Sequence, residues 1–500
     1  MSDQDVYQNK YSELRNIFKY YIDSDNALYQ LKTEKEEEIT SIYKMIKTEL
    51  IDSKKYTPKK VINDILSIIP YNNRYTKSYL EIAKHLSDEY HVTEVDKERL
   101  TSNSVFYGVY FQSSCFNFSD YQSENTIYGS IMRNDKEKFI CFTEREGFDK
   151  SQKITSSLFP LHKEYSLLEL CCFYGAVDCF KLLRTKFNSE ITKTCLNFSF
   201  LGGNQEIMSE CLKHQEPDNE CMSYAIISHN IDFVTYLMNE YNIKIDLYDC
   251  GKYNNLESLL VYFDQTNDVK TCFIFSIKYN ILPLFEYFIS HGVDIYGNMN
   301  DKDEDKIVAI HYAAKYSKEI VELLISRGAD INIKDKDEKT ALHHAVEYGN
   351  QETAELLISH GANINEKDKD GNSALYYAAE INSEKIAELL ISHGANINEK
   401  YYYEKTALHV AAENNNKKIV EPLISHGANV NEKDKYGRTA LHFAAEYDYH
   451  KTIKILISHD ANINEKDKDG NTALYYAVKN NNKETIKLLI SHGAIINEKE

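Results

Sequence analysis

The phrase Thr340-Ala-Leu-His-His-Ala345 returns as Ser373-Ala-Leu-Tyr-Tyr-Ala378, Thr406-Ala-Leu-His-Val-Ala411, Thr439-Ala-Leu-His-Phe-Ala444 and Thr472-Ala-Leu-Tyr-Tyr-Ala477, always 33 residues further on. A fixed period of that length marks an array of small supersecondary units, not one closed core. Between these points runs a second phrase, Glu355-Leu-Leu-Ile-Ser-His-Gly-Ala-Asn-Ile-Asn365, which returns at Glu388 and, with changes, at Glu421, Lys454 and Lys487. Each unit therefore reads as a first helix (helix A), a tight turn, a second helix (helix B) and a polar loop.

The two phrases together resemble the ankyrin repeat, and the resemblance covers at least residues 306–500. It implies an all-α solenoid of helix-turn-helix units with short β-turn loops. Upstream, residues 126–305 carry a worn version of the same plan. Ser166-Leu-Leu-Glu-Leu-Cys-Cys-Phe-Tyr-Gly175 places Gly175 nine residues after Ser166, as Gly349 lies nine after Thr340. The same template places Thr194 with Gly203 and, more loosely, Glu220 and Thr271; Leu256, Leu259, Leu260 and Phe263 make a helix whose partner is open. Residues 1–125 are expected to form a small helical domain and an irregular linker. Their apolar stripes are Leu14, Ile17, Phe18 and Tyr21, then Ile39, Ile42, Tyr43, Ile46 and Leu50, with Pro58 opening a further helix.

Composition limits the function. The chain has 58 Lys and Arg against 77 Asp and Glu, a net charge of -19, with the cations interspersed among acids. Without a basic stripe, nucleic acid is not an expected partner. No run of 18 apolar residues occurs, so no membrane span is expected, and the acidic, polar start points to an intracellular, cytoplasmic protein. All ten cysteines lie between Cys115 and Cys272 without C-x-x-C spacing. Cys195, Cys221 and Cys272 align with Ala341, and Cys171 and Cys172 with Ala345 and Val346, where a small hydrophobe packs. No cofactor and no metal site are expected.

Within each unit, Thr or Ser can cap helix A by accepting from an exposed backbone N–H. The resemblance implies that His311, His343, His409 and His442 bridge neighbouring repeats, with Tyr376 and Tyr475 departing from the pattern. His360, His393, His426 and His492 close helix B, where positive charge suits the helix dipole. Gly361, Gly394, Gly427 and Gly493 suit a left-handed cap, and Asp460 replaces one of them. Glu338 and Glu404 stand where the loop turns of other repeats have glycine, so those turns change type or carry about 1 kcal/mol of strain. Pro422 replaces the core position of Leu389 inside helix B, at a cost of about 3 kcal/mol unless the helix kinks or starts late, which predicts a soft joint.

Function then falls to the surface of helix A and the turns. His344, Tyr377, Val410, Phe443 and Tyr476 form one column after the signature, joined by Tyr348 and Tyr447; the turn tip Tyr401-Tyr402-Tyr403 replaces charged residues. Tyr348, Tyr377, Tyr402, Tyr403, Phe443, Tyr447 and Tyr476 are the candidate protein-binding residues, with packing between repeats as the other reading of the column. No phosphate loop, G-x-S-x-G or H-E-x-x-H occurs. The expectation is a non-catalytic scaffold for an unidentified partner protein. The alternative is an adaptor whose N-terminal helices recruit a signalling or ubiquitin-ligase component, and the remote alternative is an enzyme with a Cys-based site in 115–272. The whole chain also resembles the large ankyrin-repeat families of parasitic protists, which set a diverged, uncharacterised block of the DUF3447 kind before near-identical repeats. Helix B of the last copy, with Ile486, Leu489 and Ile490, lacks an obvious polar cap and suggests self-association there.

Overall fold

The computed structural model describes residues 11–53, 56–92, 125–155, 159, 164–297 and 308–496. Most of the expected linker, Cys115 and the start of the array at Lys306 lie outside these residues. The described chain is all-α apart from one two-stranded antiparallel sheet, Lys153–Thr155 paired with Glu164–Ser166. It divides into two compact units, residues 1–272 and 273–500.

In the second unit the period becomes six regular helix pairs, from Ala309–Tyr316 with Lys318–Ser326 to Ala473–Lys479 with Lys483–Ser491. Each helix A packs on the next helix A and each helix B on the next helix B. The alanines make this possible. Ala341, Ala345, Ala374, Ala378, Ala407, Ala411, Ala440, Ala444, Ala473 and Ala477 are all buried, so adjacent backbones approach closely while Leu342, Leu375, Leu408, Leu441 and Leu474 fill the space between layers. In the first of these pairs one residue, Ser317, separates the helices; its side chain accepts from Ile320 N–H at 3.1 Å, so the shortened turn falls where the spacing puts it.

Helix B of every regular repeat ends on His or, once, Arg327, followed by a left-handed residue. Gly361, Gly394, Gly427 and Gly493 have φ of 90–98°, and Asp460 adopts φ 63°. The capping histidines act more directly than a dipole argument supposes: Nδ1–H of His360, His393 and His426 donates to Leu356 O (2.9 Å), Leu389 O (2.8 Å) and Pro422 O (2.8 Å), adding a side-chain donor to carbonyls of the last turn. Glu338 and Glu404 keep the left-handed conformation of the glycines they replace, with φ of 58° and 56°, so these turns carry the strain.

Pro422 differs from expectation. Its helix B runs Lys417–Ser425, the same nine residues as its neighbour Glu384–Ser392, so it neither starts late nor breaks. The site is half-buried, as is Leu389; the core position is the next one, Leu423. The residue pointing inward is one step on because the layer contact falls on the Ile419–Val420–Leu423 face.

Six diverged pairs can be traced, from Ile127–Met132 with Lys136–Thr143 to Val269–Lys278 with Leu282–Ser290; the first five lie in the first unit, and helix Leu282–Ser290 of the last belongs to the second. Ser166 caps helix Leu167–Tyr174 where the template places it, but two later caps lie upstream: Thr192, not Thr194, accepts from Cys195 N–H, and Asp218, not Glu220, accepts from Cys221 N–H. The missing partner of helix Leu256–Thr266 is the short helix Leu247–Lys252, capped by Asp246. Helix Pro58–Ile68 opens with Pro58 behind a Thr57 cap, and Leu14, Phe18 and Tyr21 are buried while Ile17 is exposed.

The N-terminal helices do not stand alone. Glu257, on the second helix of a diverged pair, receives Arg15 Nε (2.6 Å), Tyr11 OH (3.1 Å) and Asn26 Nδ2 (3.3 Å). Gln30 Nε2 donates to His229 O at 2.6 Å, Tyr29 stacks on His229 with ring centroids 3.9 Å apart, and Tyr71 and Tyr253 hydroxyls meet at 2.8 Å. These contacts lie along the A-to-B turns of the diverged repeats.

Candidate interaction surface

The signature histidines are bound on both sides. Nδ1 of His343 accepts from the backbone N–H of Thr340 at 3.0 Å and lies 2.9 Å from the Thr340 hydroxyl; Thr406 with His409 and Thr439 with His442 repeat this geometry. With Nδ1 accepting, Nε2 carries the proton and donates into the next repeat: His311 to Ile333 O (2.9 Å), His343 to Asn372 O (3.3 Å), His409 to Arg438 O (3.1 Å) and His442 to Asn471 O (3.3 Å). The bridging role implied by the resemblance is thus present. For the regular repeats the threonine role is corrected: the signature histidine lies against the hydroxyl, and among their described residues Thr472, whose repeat has Tyr475, is the one that accepts from a backbone N–H, at 3.3 Å. Burial pushes the pKa of His311 and His409 down to about 4 and lowers those of His343 and His442.

The column after the signature is not a surface. His344, Tyr377, Val410 and Phe443 are buried and Tyr476 is half-buried. Each is covered from its own loop, nine residues upstream. Tyr377 OH donates to Asp368 Oδ2 at 2.5 Å, Tyr476 OH to Asp467 Oδ2 at 2.7 Å, and His344 Nε2 lies 2.8 Å from Asp335 Oδ2. Where the column is apolar the loop residue compensates: Asp434 below Phe443 takes Arg438 through Nε and Nη2 (3.1 and 3.0 Å), and beside Val410 a buried Tyr401 stands in the aspartate's place. That pairing of residues nine apart is visible in the sequence and is the signal that identifies the column as packing. Tyr377, Phe443 and Tyr476 are therefore corrected from contact residues to members of the interior or its margin.

The other candidates remain outside. Tyr348 is 50% exposed, Tyr402 58%, Tyr403 37% and Tyr447 49%. Tyr402 and Tyr403 sit on the third loop turn with ring centroids 4.0 Å apart, and Tyr403 lies 5.7 Å from Tyr436 of the next turn, itself 48% exposed and absent from the expected set. Backbone ties hold these tips: Lys435 N–H donates to Tyr403 O (2.8 Å) and Lys468 N–H to Tyr436 O (2.9 Å). Lys435 Nζ lies over the Tyr403 ring at 5.4 Å and the Arg438 guanidinium over Tyr436 at 5.3 Å. The outcome is a contiguous aromatic patch edged with cations. Tyr348 belongs to a different cluster, 5.9 Å from Tyr316, and Tyr447 stacks on Tyr449 at 5.8 Å.

An asparagine ladder fixes the loops from repeat to repeat. Asn365 Nδ2 donates to Gly394 O (3.1 Å) while its Oδ1 accepts from Asn396 N–H (2.9 Å); Asn398 makes the same two bonds to Gly427 and Asn429, and Asn431 to Asp460 and Asn462. The repeated Asn-Ile-Asn phrase was its signal. Lys334–Glu366 (2.7 Å), Lys400–Glu432 (2.8 Å) and Lys433–Glu465 (2.6 Å) run beside it as exposed ion pairs that add little energy.

The described cysteines are free; all but Cys141 are buried. Burial pushes Cys179 and Cys221 up to about 12 and Cys171, Cys172 and Cys250 well above the ordinary thiol range, while contact with Cys172 lowers Cys195. Among the described residues, no group of three or more His, Cys, Asp or Glu is placed to hold a metal ion, and no helix is long and apolar enough to cross a membrane.

Comparison with known families agrees with this layout. The profile described as Ankyrin repeats (3 copies) matches residues 247–335, 273–368, 310–401, 363–434 and 408–500 in overlapping windows. The profile described as Domain of unknown function (DUF3447) matches residues 187–262. In this structure that stretch spans three diverged helix pairs, from Lys193–Gly202 to Leu256–Thr266. No curated protein matches the chain.

Proposed function

Since this chain belongs to the ankyrin-repeat family, we propose that it is a non-catalytic scaffold that holds a partner protein on the tyrosine patch of its loop tips. The observation that carries this reading is the contiguity of Tyr402, Tyr403 and Tyr436, all exposed on turns tied to one another through the backbone. Tyrosines on a rigid support contribute large contact area at small entropic cost, and their flanking cations favour an acidic or phosphorylated rim on the partner. Tyr348 and Tyr447 extend the candidate surface at the far end of helix A. Free buried thiols suit a reducing cytoplasm.

Site-specific photocrosslinking tests the assignment. A photoreactive residue in place of Tyr403 or Tyr436 should capture the same partner from cell extract, whereas one at exposed Glu388 on helix B should not. Capture from Glu388 alone would place the partner on the other face and end the proposal.

The adaptor reading keeps one observation in its favour. Ile17 and Tyr20 on the N-terminal helices are 52% and 60% exposed, although the opposite face of the same segment is spent on the diverged repeats. Loss of a second partner from the full chain on Ile17→Ser with Tyr20→Ser would support it; an unchanged set of partners would remove it.

A further inference from the structure

The first unit contains a cavity of about 180 Å³ where the N-terminal helices meet the A-to-B turns of the diverged repeats. An apolar cavity of about 150 Å³ is enough to take up benzene, so a six-membered ring fits this volume. Rings of Tyr71, Tyr75, Phe173 and Tyr174 line it. Two of them are fixed by their hydroxyls, Tyr71 to Tyr253 at 2.8 Å and Tyr174 to Asn73 Oδ1 at 2.5 Å, so the walls are set before any ligand arrives.

Charge is the unusual feature. The lining includes two cations, Lys32 and Arg74, and not one Asp or Glu, in a chain whose net charge is -19. Arg74 is half-buried; its Nη2–H donates to Tyr174 O at 3.0 Å and its guanidinium lies 5.4 Å from the Tyr174 ring, yet its Nε–H is buried without an acceptor. Among the described residues no carboxylate comes within ion-pair distance of it. A partly desolvated guanidinium without a counter-charge is costly, and an anion delivered by a ligand is its natural complement.

We propose that this cavity binds a small aromatic anion, a flat ring bearing one phosphate or carboxylate group. Arg74 is its charge partner, Lys32 draws it to the rim and the aromatic walls take the ring. The site lies in the first unit and is independent of the tyrosine patch of the second.

Titration calorimetry on the full chain at low salt, with phenyl phosphate, benzoate and neutral benzyl alcohol as probes, tests the proposal and separates the two anion classes. The expected result is saturable one-site binding of at least one anion, with benzyl alcohol weaker by about tenfold or more. Arg74→Gln removes the charge but keeps a donor for the Tyr174 carbonyl, and should weaken the anion by about tenfold. Asn230→Asp guards against a folding artefact: residue 230 lines the cavity and caps helix Ile231–Tyr241, and aspartate caps as well as asparagine while adding a repelling charge. It should weaken the anion by several-fold at an unchanged thermal midpoint. Absence of saturable binding to the wild type, equal binding of benzyl alcohol, or wild-type affinity in both variants would overturn the proposal.

Discussion

At the scale of single residues, the signature histidines make the array sensitive to acid. Each is neutral in the folded state, with Nδ1 accepting from the chain, and protonation would set an N–H against an N–H. The folded pKa of His311 and His409 is depressed from 6.5 to about 4, so the unfolded chain takes up protons first as the pH falls. The stability they contribute is complete above pH 6.5 and is lost as the pH falls toward 4, up to about 3 kcal/mol for each. Carboxylates held low by partners, such as Glu347 at about 2, add their own loss only below about pH 4.5. Thermal unfolding of the chain between pH 7 and 4.5 should therefore show a steep fall in midpoint, and replacing His409 with Tyr, the residue that two other repeats use, should make that fall shallower. A midpoint flat across this range would refute the assigned protonation state.

Among elements, the 33-residue period made every regular helix pair legible, because apolar spacing and the caps of helix B recur, with one shortened turn at Ser317. What the period could not tell was which way each column faces. The residue after the signature is Tyr or Phe in four repeats (Tyr312, Tyr377, Phe443 and Tyr476), which suits a binding stripe, yet where a polar partner lies nine residues upstream in the loop it turns the ring inward, as Tyr377 with Asp368 shows. In the diverged block, Thr194 was misleading because helix A there begins two residues earlier, at Lys193 behind Thr192. Pro422 belongs to this scale too. Its helix keeps the full length, and proline cannot supply the N–H that would reach Lys418 O. Pro422→Leu, the residue of the preceding repeat at Leu389 and of Leu356 and Leu488, should stabilise the array by up to about 3 kcal/mol. It should also slow amide hydrogen exchange over residues 417–426 to match residues 384–393; equal protection of the two segments in the wild type would show that no soft joint exists.

For the molecule as a whole, the N-terminal helices and the diverged repeats form one compact unit, a union that no sequence period announces because Arg15 and Glu257 lie 242 residues apart. Glu257→Ala should leave Arg15 with Asp23 alone and Asn26 with His229 alone, and cost the first unit about 2 kcal/mol, measurable as an earlier unfolding transition, while the transition of the second unit stays in place. Two transitions shifting together would argue that the units do not melt separately. The same long-range physics limited the functional reading: Tyr436 joins Tyr402 and Tyr403 only once adjacent turns are stacked, so a patch spread across two repeats looked like a single deviant loop. Affinity purification of the intact chain beside a variant carrying Tyr402→Ser, Tyr403→Ser and Tyr436→Ser addresses the central claim most directly. The scaffold reading predicts that a specific partner is lost from the variant at an unchanged circular dichroism spectrum and thermal midpoint, and an identical set of partners from both proteins would contradict it.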